Sequence, residues 1–381
     1  KAKKPIIYSG GGVVNSGVKA STALTDLVNY TNIPITQTLM GLGAVAANNK
    51  NFLGMLGMHG TYEANMAMHD CDVMLCVGAR FDDRITGNLK YFSPNSKKIH
   101  IDIDPSSINK NVKVDLAVIG DCYYILNMLM KELKASKSKI DKNSIDKWWK
   151  TIDKWKRKDC LSFIDSEKSI KPQRALQELN KALKGQDAYI TTEVGQHQMW
   201  AAQYLDFNKP NRWMTSGGLG TMGYGFPAAI GVQVAHPKKP VVCVAGEASF
   251  LMNIQELSSL KQLNIPVKVF ILNNEYMGMV RQWQEFFHGG RYSESYSDSL
   301  PDFIALANSF GIKGMRVTDP KDLKSSIAEM MNHDGPVIMD VCVDKMENVF
   351  PMIPAGAAHN DMKLNDHDEK EAQTSEGMGL L

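Results

Sequence analysis

Short apolar runs separated by helix-length amphipathic stretches recur along this chain. Pro5-Ile6-Ile7-Tyr8 is the first run, and Ser9-Gly10-Gly11-Gly12 after it suits a tight turn. A helix is expected next, with Ala23, Leu24, Leu27 and Val28 on one side. Residues 34–38, 73–77 and 98–103 read as further strands. Val118-Ile119-Gly120-Asp121 then leads into a helix bearing Ile125, Met128, Leu129 and Leu133. Apolar runs without alternation are what strands need when both faces of a parallel sheet are covered. The rhythm from residue 1 to 135 therefore predicts an α/β, doubly wound sheet.

The same rhythm resumes at Lys171. Pro172 suits a first helical turn, Leu176, Leu179 and Leu183 share a face, and Gly185 can end the helix. Strands are expected at 188–192, 241–245, 267–272 and 337–341. Between two of them, residues 253–263 predict one helix with Ile254, Leu257, Leu260 and Leu263 facing inward. Asp319-Pro320 starts a late helix carrying Leu323, Ile327 and Met330. Residues 131–160 differ: lysine is frequent, glycine is absent, and Ile145, Trp148, Ile152 and Trp155 recur at helical spacing. They read as a linker helix with a solvated lysine face and tryptophans packed on a domain, rather than as a nucleic-acid patch. After Val349 the chain is rich in Pro and Gly and then polar, and its last fifteen residues are expected to be disordered.

Composition adds limits rather than identity. With 381 residues, 44% of them apolar, two packed domains are expected. A net charge of +2 excludes a strong field for nucleic acid or membranes. No apolar run reaches the length of a spanning helix. The six cysteines lack paired spacing and read as buried free thiols in a reducing compartment. The chain opens on Lys1 and enters a strand pattern almost at once, so an internal start is expected. The compartment is then open: cytoplasm if the source is bacterial, with an organelle not excluded.

Candidate chemistry sits at strand ends. Gly246-Glu247-Ala248 follows one apolar run and Asn273-Asn274 the next, with Glu247 and Asn274 twenty-seven positions apart. Strand ends of open α/β sheets are where ligands bind. A carboxylate and an amide oxygen there suit a hard cation such as Mg²⁺ that also holds a diphosphate, although one acid after a strand and an Asn pair in a turn are each common. Glu193-Val194-Gly195-Gln196-His197 follows another strand end. Between Gly217 and Gly225 five glycines fall within nine residues, more than a tight turn needs. Glycines let backbone N–H groups approach an anion closely.

These residues carry a resemblance. Gly-Glu-Ala followed by Asn-Asn is similar to the thiamine-diphosphate motif Gly-Asp-Gly…Asn-Asn, departing from it at Glu247 and Ala248. From Gly217 to Trp283 the chain closely resembles the catalytic subunit of acetohydroxyacid (acetolactate) synthase, and the likeness extends over most of residues 4–356. More specific than the diphosphate motif are residues 54–60 (GMLGMHG), 80–84 (RFDDR), 279–283 (MVRQW) and 351–354 (PMIP). The resemblance implies a transferase of branched-chain amino-acid biosynthesis. It decarboxylates pyruvate on thiamine diphosphate and joins the two-carbon unit to pyruvate or 2-ketobutyrate, toward valine, leucine and isoleucine. Alternatives are a related thiamine-diphosphate/FAD pyruvate oxidase or decarboxylase, and a non-catalytic cofactor-binding fragment.

By this resemblance Glu247, Asn274 and the backbone oxygen of Tyr276 bind Mg²⁺. Gln196 and His197 contact the diphosphate, Gly220 and Met222 hold the aminopyrimidine, and Gly246, Ala248 and Ser249 complete the cofactor site. Arg84 and Trp283 receive the second ketoacid, with Met222 beside them as a catalytic position. Read without the resemblance, Arg84 fits an ion pair with Asp82 or Asp83 better, and Trp283 a core position. Gly10, Gly11, Gly12, Thr38, Leu39, Met40, Met58, His59, Asp102 and Asp121 match segments that contact FAD in the family. The expected organisation is a central FAD-binding-like domain at 1–135, a linker helix at 136–170, a thiamine-diphosphate-binding domain at 171–350 and a tail at 351–381. The family's N-terminal pyrimidine-binding domain, with its activating glutamate, has no counterpart in this sequence, so weak cofactor binding and little activity are expected of the chain alone. A homodimer or higher homo-oligomer is implied, with a regulatory small subunit as a further partner and neither nucleic acid nor membrane.

Overall fold

A computed structural model describes residues 2–136 and 140–365. The expected disordered tail lies outside the described residues. The chain divides into two compact units. The first comprises residues up to Ser162, Asp206–Asn211 and the described residues from Phe350 onward; the second comprises Phe163–Leu205 and Arg212–Val349.

In the first unit, β1 (Pro5–Ser9), β2 (Ile35–Gln37), β3 (Phe52–Met55), β4 (Val73–Val77), β5 (Lys97–Asp102) and β6 (Leu116–Ile119) form one sheet. Its order is β3-β2-β1-β4-β5-β6. All its pairings are parallel. Neighbouring side chains on a strand point to opposite faces. Ile6, Tyr8, Met74 and Cys76 thus enter one buried cluster. Ile7, Ile35, Val77 and Ile101 enter the other, against Leu24, Leu27, Val28 and Leu126. The first cluster also takes Trp148 and Ile152 from helix Lys142–Lys156. Trp148 Nε1 donates to Pro5 O at 3.1 Å and Trp149 Nε1 to Asn32 O at 2.8 Å. The helix read as a linker with its tryptophans on a domain packs on the first unit, where its apolar stripe buries Trp148 and leaves Trp149 half-buried.

Two buried imidazoles give this unit a pH dependence. His59 Nδ1 lies 3.1 Å from Pro351 O and His359 Nε2 2.7 Å from Ile85 O. Burial lowers both from the ordinary 6.5 to about 4. A depressed imidazole stays neutral in the native state while the unfolded chain takes up protons below 6.5. Stability is therefore lost as pH falls from 6.5 toward 4, on the order of 3 kcal/mol for each group. We expect His359→Gln to lose less melting temperature than the wild type between pH 7 and pH 4.5. An equal loss in both would contradict the assignment.

In the second unit, β7 (Tyr189–Thr192), β8 (Trp213–Met214), β9 (Val241–Gly246), β10 (Lys268–Asn273), β11 (Lys313–Val317) and β12 (Val337–Cys342) form a sheet ordered β11-β12-β10-β9-β7-β8. All its pairings are again parallel. Cys243, Ala245, Val269 and Ile271 face a cluster with Phe226, Phe250, Leu257 and Phe303. Helix Pro172–Leu183 starts on its proline, as expected. The helix expected over 253–263 is instead a 3₁₀ turn, Ile254–Glu256, and a short helix, Leu257–Gln262. Leu263 is exposed past its end because the chain turns through Asn264 at positive φ. The late helix begins at Leu323 rather than at Asp319-Pro320. All six cysteines are free thiols, and all but Cys342 are buried. No helix among the described residues is long and apolar enough to cross a membrane.

Candidate functional site

Sheet order decides where a ligand can enter. In the second unit β7 lies between β8 and β9: the chain passes from β7 to β8 on one side and crosses back to β9 on the other, the strand-order reversal at which a crevice forms at the strand ends. The first residues beyond those ends are Glu193 after β7 and Glu247 after β9. Helix Gln196–Tyr204 begins at the same place. The N–H groups of such a helix start are unsatisfied within the helix and face an anion well.

The backbone approaches closely here. Gly246 N donates to Glu193 Oε1 at 3.2 Å, and His197 Nε2 lies 2.8 Å from that same oxygen, out of line for a hydrogen bond. A Cβ on Gly225 would meet Glu193 Oε2 at 2.6 Å, and one on Gly246 would meet His197 Nδ1 at 2.9 Å. Glycine is thus required at both positions. Gly220 and Gly223 adopt φ of +70° and +80°, values that L side chains resist. Leu219, at the tip of this segment, is 96% exposed. Met222 is half-buried.

Glu247 begins a short helix and is 1% exposed, yet its Oε1 has no hydrogen-bond partner. Burial raises its carboxyl to about 8, against backbone N–H groups including those of Asn274 and Tyr276 that favour the charged form. Asn274 follows β10 and is also buried. Its Oδ1 accepts from Tyr276 N at 3.2 Å and its Nδ2 donates to Gln196 Oε1 at 3.0 Å. Among the described residues no three His, Cys, Asp or Glu side chains converge. A cation at this place would instead meet one carboxylate, one carboxamide and backbone oxygen, a hard-oxygen set suited to Mg²⁺. The orphaned Glu247 oxygen and the close glycine backbone fit a metal–diphosphate group. Ala248 and Ser249 continue the short helix, with Ser249 buried.

Trp283 lies on helix Gly278–Phe287. It lines an open pocket of about 610 Å³ with Met279, Val280, Gln284, His288 and Arg291. The tryptophan is half-buried and stacks edgewise on Phe287 at 5.1 Å. It is a pocket wall rather than a core residue. Arg84 belongs to the first unit, exposed and 3.3 Å from Asp83. The ion-pair reading of that residue is therefore seen directly.

In the first unit the residues matched to a flavin all follow C-terminal strand ends. Gly10, Gly11 and Gly12 come after β1. Thr38, Leu39 and Met40 come after β2, Met58 and His59 after β3, Asp102 ends β5, and Asp121 follows β6. The order reverses between β1 and β4, where Gly10 and Gly12 press on Gly78: added Cβ atoms would lie 2.4 Å from its oxygen and 2.7 Å from its Cα. This close approach fits a dinucleotide at a switch point. Asp121 is already engaged, capping helix Cys122–Ala135 through Tyr123 N and accepting from Ser16 Oγ at 2.7 Å.

Sequence reasoning missed Gln282, Arg281 and Gly278. Gln282 and Arg281 are fully buried polar residues on one helix. A Cβ on Gly278 would lie 2.0 Å from Gln196 Oε1. No periodicity announces a single buried glutamine; the one available signal was its place inside the segment 279–283.

Comparisons with known proteins bear on both units. Residues 193–341 match the family described as "Thiamine pyrophosphate enzyme, C-terminal TPP binding domain", and residues 1–129 match its "central domain". The chain is 46% identical over 367 residues to the acetolactate synthase isozyme 3 large subunit of Escherichia coli, covering 96% of this chain and 63% of that protein. It is 46% identical over 372 residues to the acetolactate synthase large subunit of Haemophilus influenzae, covering 97% and 64%. The large subunit from Cyanidium caldarium is 45% identical over 363 residues, covering 95% and 61%. The chain thus spans less than two thirds of the length of these relatives.

Proposed function

Given that this chain belongs to the thiamine pyrophosphate enzymes, with their central and C-terminal domains, we propose that it serves as the catalytic part of an acetolactate synthase. The observation that carries the reading is the buried, unpartnered Glu247 oxygen beside Asn274 at the end of adjacent strands. Glu247, Asn274 and the backbone oxygen of Tyr276 would hold Mg²⁺, and the Mg²⁺ a diphosphate. The first N–H groups of helix Gln196–Tyr204 favour the diphosphate charge. His197, held beside Glu193, Ala248 and Ser249 border it. Gly220 and Met222 would receive the pyrimidine ring. When bound, thiamine diphosphate supplies a nucleophilic carbon that adds to a ketoacid carbonyl and accepts the electrons released with CO₂.

The substrates proposed are pyruvate, then pyruvate or 2-ketobutyrate. Trp283 walls the pocket of the second unit that is proposed to select the second, and a ketoacid carboxylate is proposed as the bidentate partner of the Arg84 guanidinium in place of Asp83. FAD is proposed at the strand ends of the first unit. That the relatives are named large subunits supports a small partner subunit and a multimeric assembly, and the bacterial relatives support a cytoplasmic site of action.

The test is conversion of pyruvate by the protein purified from its source. Acetolactate formed without oxygen, and only with thiamine diphosphate and Mg²⁺, is expected; oxygen-dependent pyruvate loss without acetolactate would overturn the reading. With both ketoacids present, Trp283→Leu should shift the product ratio between 2-acetolactate and 2-aceto-2-hydroxybutyrate by about tenfold, the scale of one or two methylenes in a pocket. An unchanged ratio removes Trp283 from that role.

A further inference from the structure

A carboxamide has an oxygen and a nitrogen of nearly equal size, and only its partners decide which way it faces. For Asn274 the choice matters, because only Oδ1 can face a cation. The chain of partners that makes the choice runs through three side chains to a fixed backbone. Val349 N donates to Gln282 Oε1 at 2.8 Å, and Gln282 Nε2 donates to Val349 O at 3.2 Å. A backbone N–H and C=O cannot exchange roles, so Gln282 has one orientation. Its Oε1 then accepts Gln196 Nε2 at 2.9 Å, and Glu347 O accepts the same nitrogen at 3.0 Å. Gln196 Oε1 must therefore face Asn274, whose Nδ2 donates to it at 3.0 Å. This leaves Asn274 Oδ1 turned toward Tyr276 N, in the turn whose backbone N–H groups at Asn274 and Tyr276 also reach the Glu247 carboxylate.

All three amides are buried, Gln282 completely. Swapping any one of them end for end would set two donors or two acceptors against each other where water is excluded, which is costly. The Gln196 side chain is thus spent within the protein, leaving its backbone N–H at the helix start for an anion. Gln282 also sits directly before Trp283 on helix Gly278–Phe287. The helix that walls the pocket is thereby pinned to the residue that orients the metal ligand.

We infer that Gln282 is a positioning residue for the metal: through Gln196 it fixes the carboxamide of Asn274 so that Oδ1 faces the cation. The inference rests on the proposed Mg²⁺–thiamine diphosphate site. Partners of this outer kind are worth ten- to a hundredfold in metal affinity.

The experiment is a calorimetric titration of Mg²⁺ into the full chain with saturating thiamine diphosphate, beside the melting temperature of the metal-free protein. Gln282→Met keeps length and removes the polarity, and is expected to weaken Mg²⁺ binding by about tenfold or more. Gln282→Glu keeps an acceptor for both Gln196 Nε2 and Val349 N, and is expected to stay within about threefold of wild type. A purely structural role would lower the melting temperature of both variants and leave both affinities equal. Equal Mg²⁺ affinity in wild type and Gln282→Met overturns the inference, as does equal weakening in the two variants. If Gln282→Met does not fold, Gln282→Glu against wild type decides: loss beyond tenfold overturns it. A wild-type chain that takes up no Mg²⁺ with thiamine diphosphate overturns the proposed site, and this inference with it.

Discussion

Glu247→Gln abolishes Mg²⁺-dependent binding of thiamine diphosphate. The substitution keeps volume and one oxygen but removes the acidic side chain whose buried Oε1 has no hydrogen-bond partner. Burial with Oε1 unpartnered raises the carboxyl to about 8, which is the condition of a ligand awaiting its charge partner rather than of a structural acid. A cation there would remove that cost. We expect the apparent affinity for thiamine diphosphate with Mg²⁺ to fall by about 100-fold or more, beyond the loss of an outer partner alone. The metal-free protein should be no less stable than wild type, because a neutral amide needs no counter-charge. Calorimetry with unchanged affinity would remove Glu247 from the metal site.

Gly278→Ala acts on the same site from the side. Its Cβ would lie 2.0 Å from Gln196 Oε1 and 2.8 Å from Asn274 Nδ2. Both atoms belong to the buried amide chain and cannot swing to solvent. Overpacking of this kind costs about 1–3 kcal/mol, and here it also displaces Asn274. Thiamine diphosphate affinity should fall at least tenfold, the scale set by outer partners, with a lower melting temperature. Gly231→Ala is the contrast: nothing lies within 4 Å of its added Cβ, in the middle of helix Gly225–Ala235. It should stabilise by about 1 kcal/mol through helix propensity alone and leave binding unchanged. Equal binding in all three proteins would show that Gly278 is only a helix start.

Strands were legible in the sequence where burial on both faces left uninterrupted apolar runs, as at 73–77 and 241–245. β11 was not, because Lys313–Val317 is an edge strand with a mixed pattern of exposure. Nor was β8, with only two residues. Helices Gln196–Tyr204 and Gly225–Ala235 escaped for the opposite reason. One buries polar Gln196, His197 and Gln198, and the other is apolar nearly all round, so neither shows a single stripe. The lysine-rich helix was legible as a helix, but which surface its tryptophans cover depends on Pro5 O and Asn32 O, more than a hundred residues away.

The candidate site was legible in its ends and not in its middle. Glu247 and Asn274 stand out because strand, acid and amide recur in order, and the glycines because they are dense. The parallel register of β9 and β10 then sets Leu272 beside Gly246, bringing the two ends together. What joins them, Gln196 to Gln282 to Val349, is a set of contacts 67 to 86 residues apart with no local signature. Amide orientation is a property of the partners, so it could be read only once the backbone had placed them.

The most direct measurement is a crystal of the full chain grown with thiamine diphosphate and Mn²⁺ in place of Mg²⁺, with anomalous scattering used to locate the metal. One peak bound by a Glu247 oxygen and Asn274 Oδ1, with a diphosphate on its open side, is the result expected. A metal held elsewhere, or a diphosphate bound with Glu247 still unpartnered, would contradict the account.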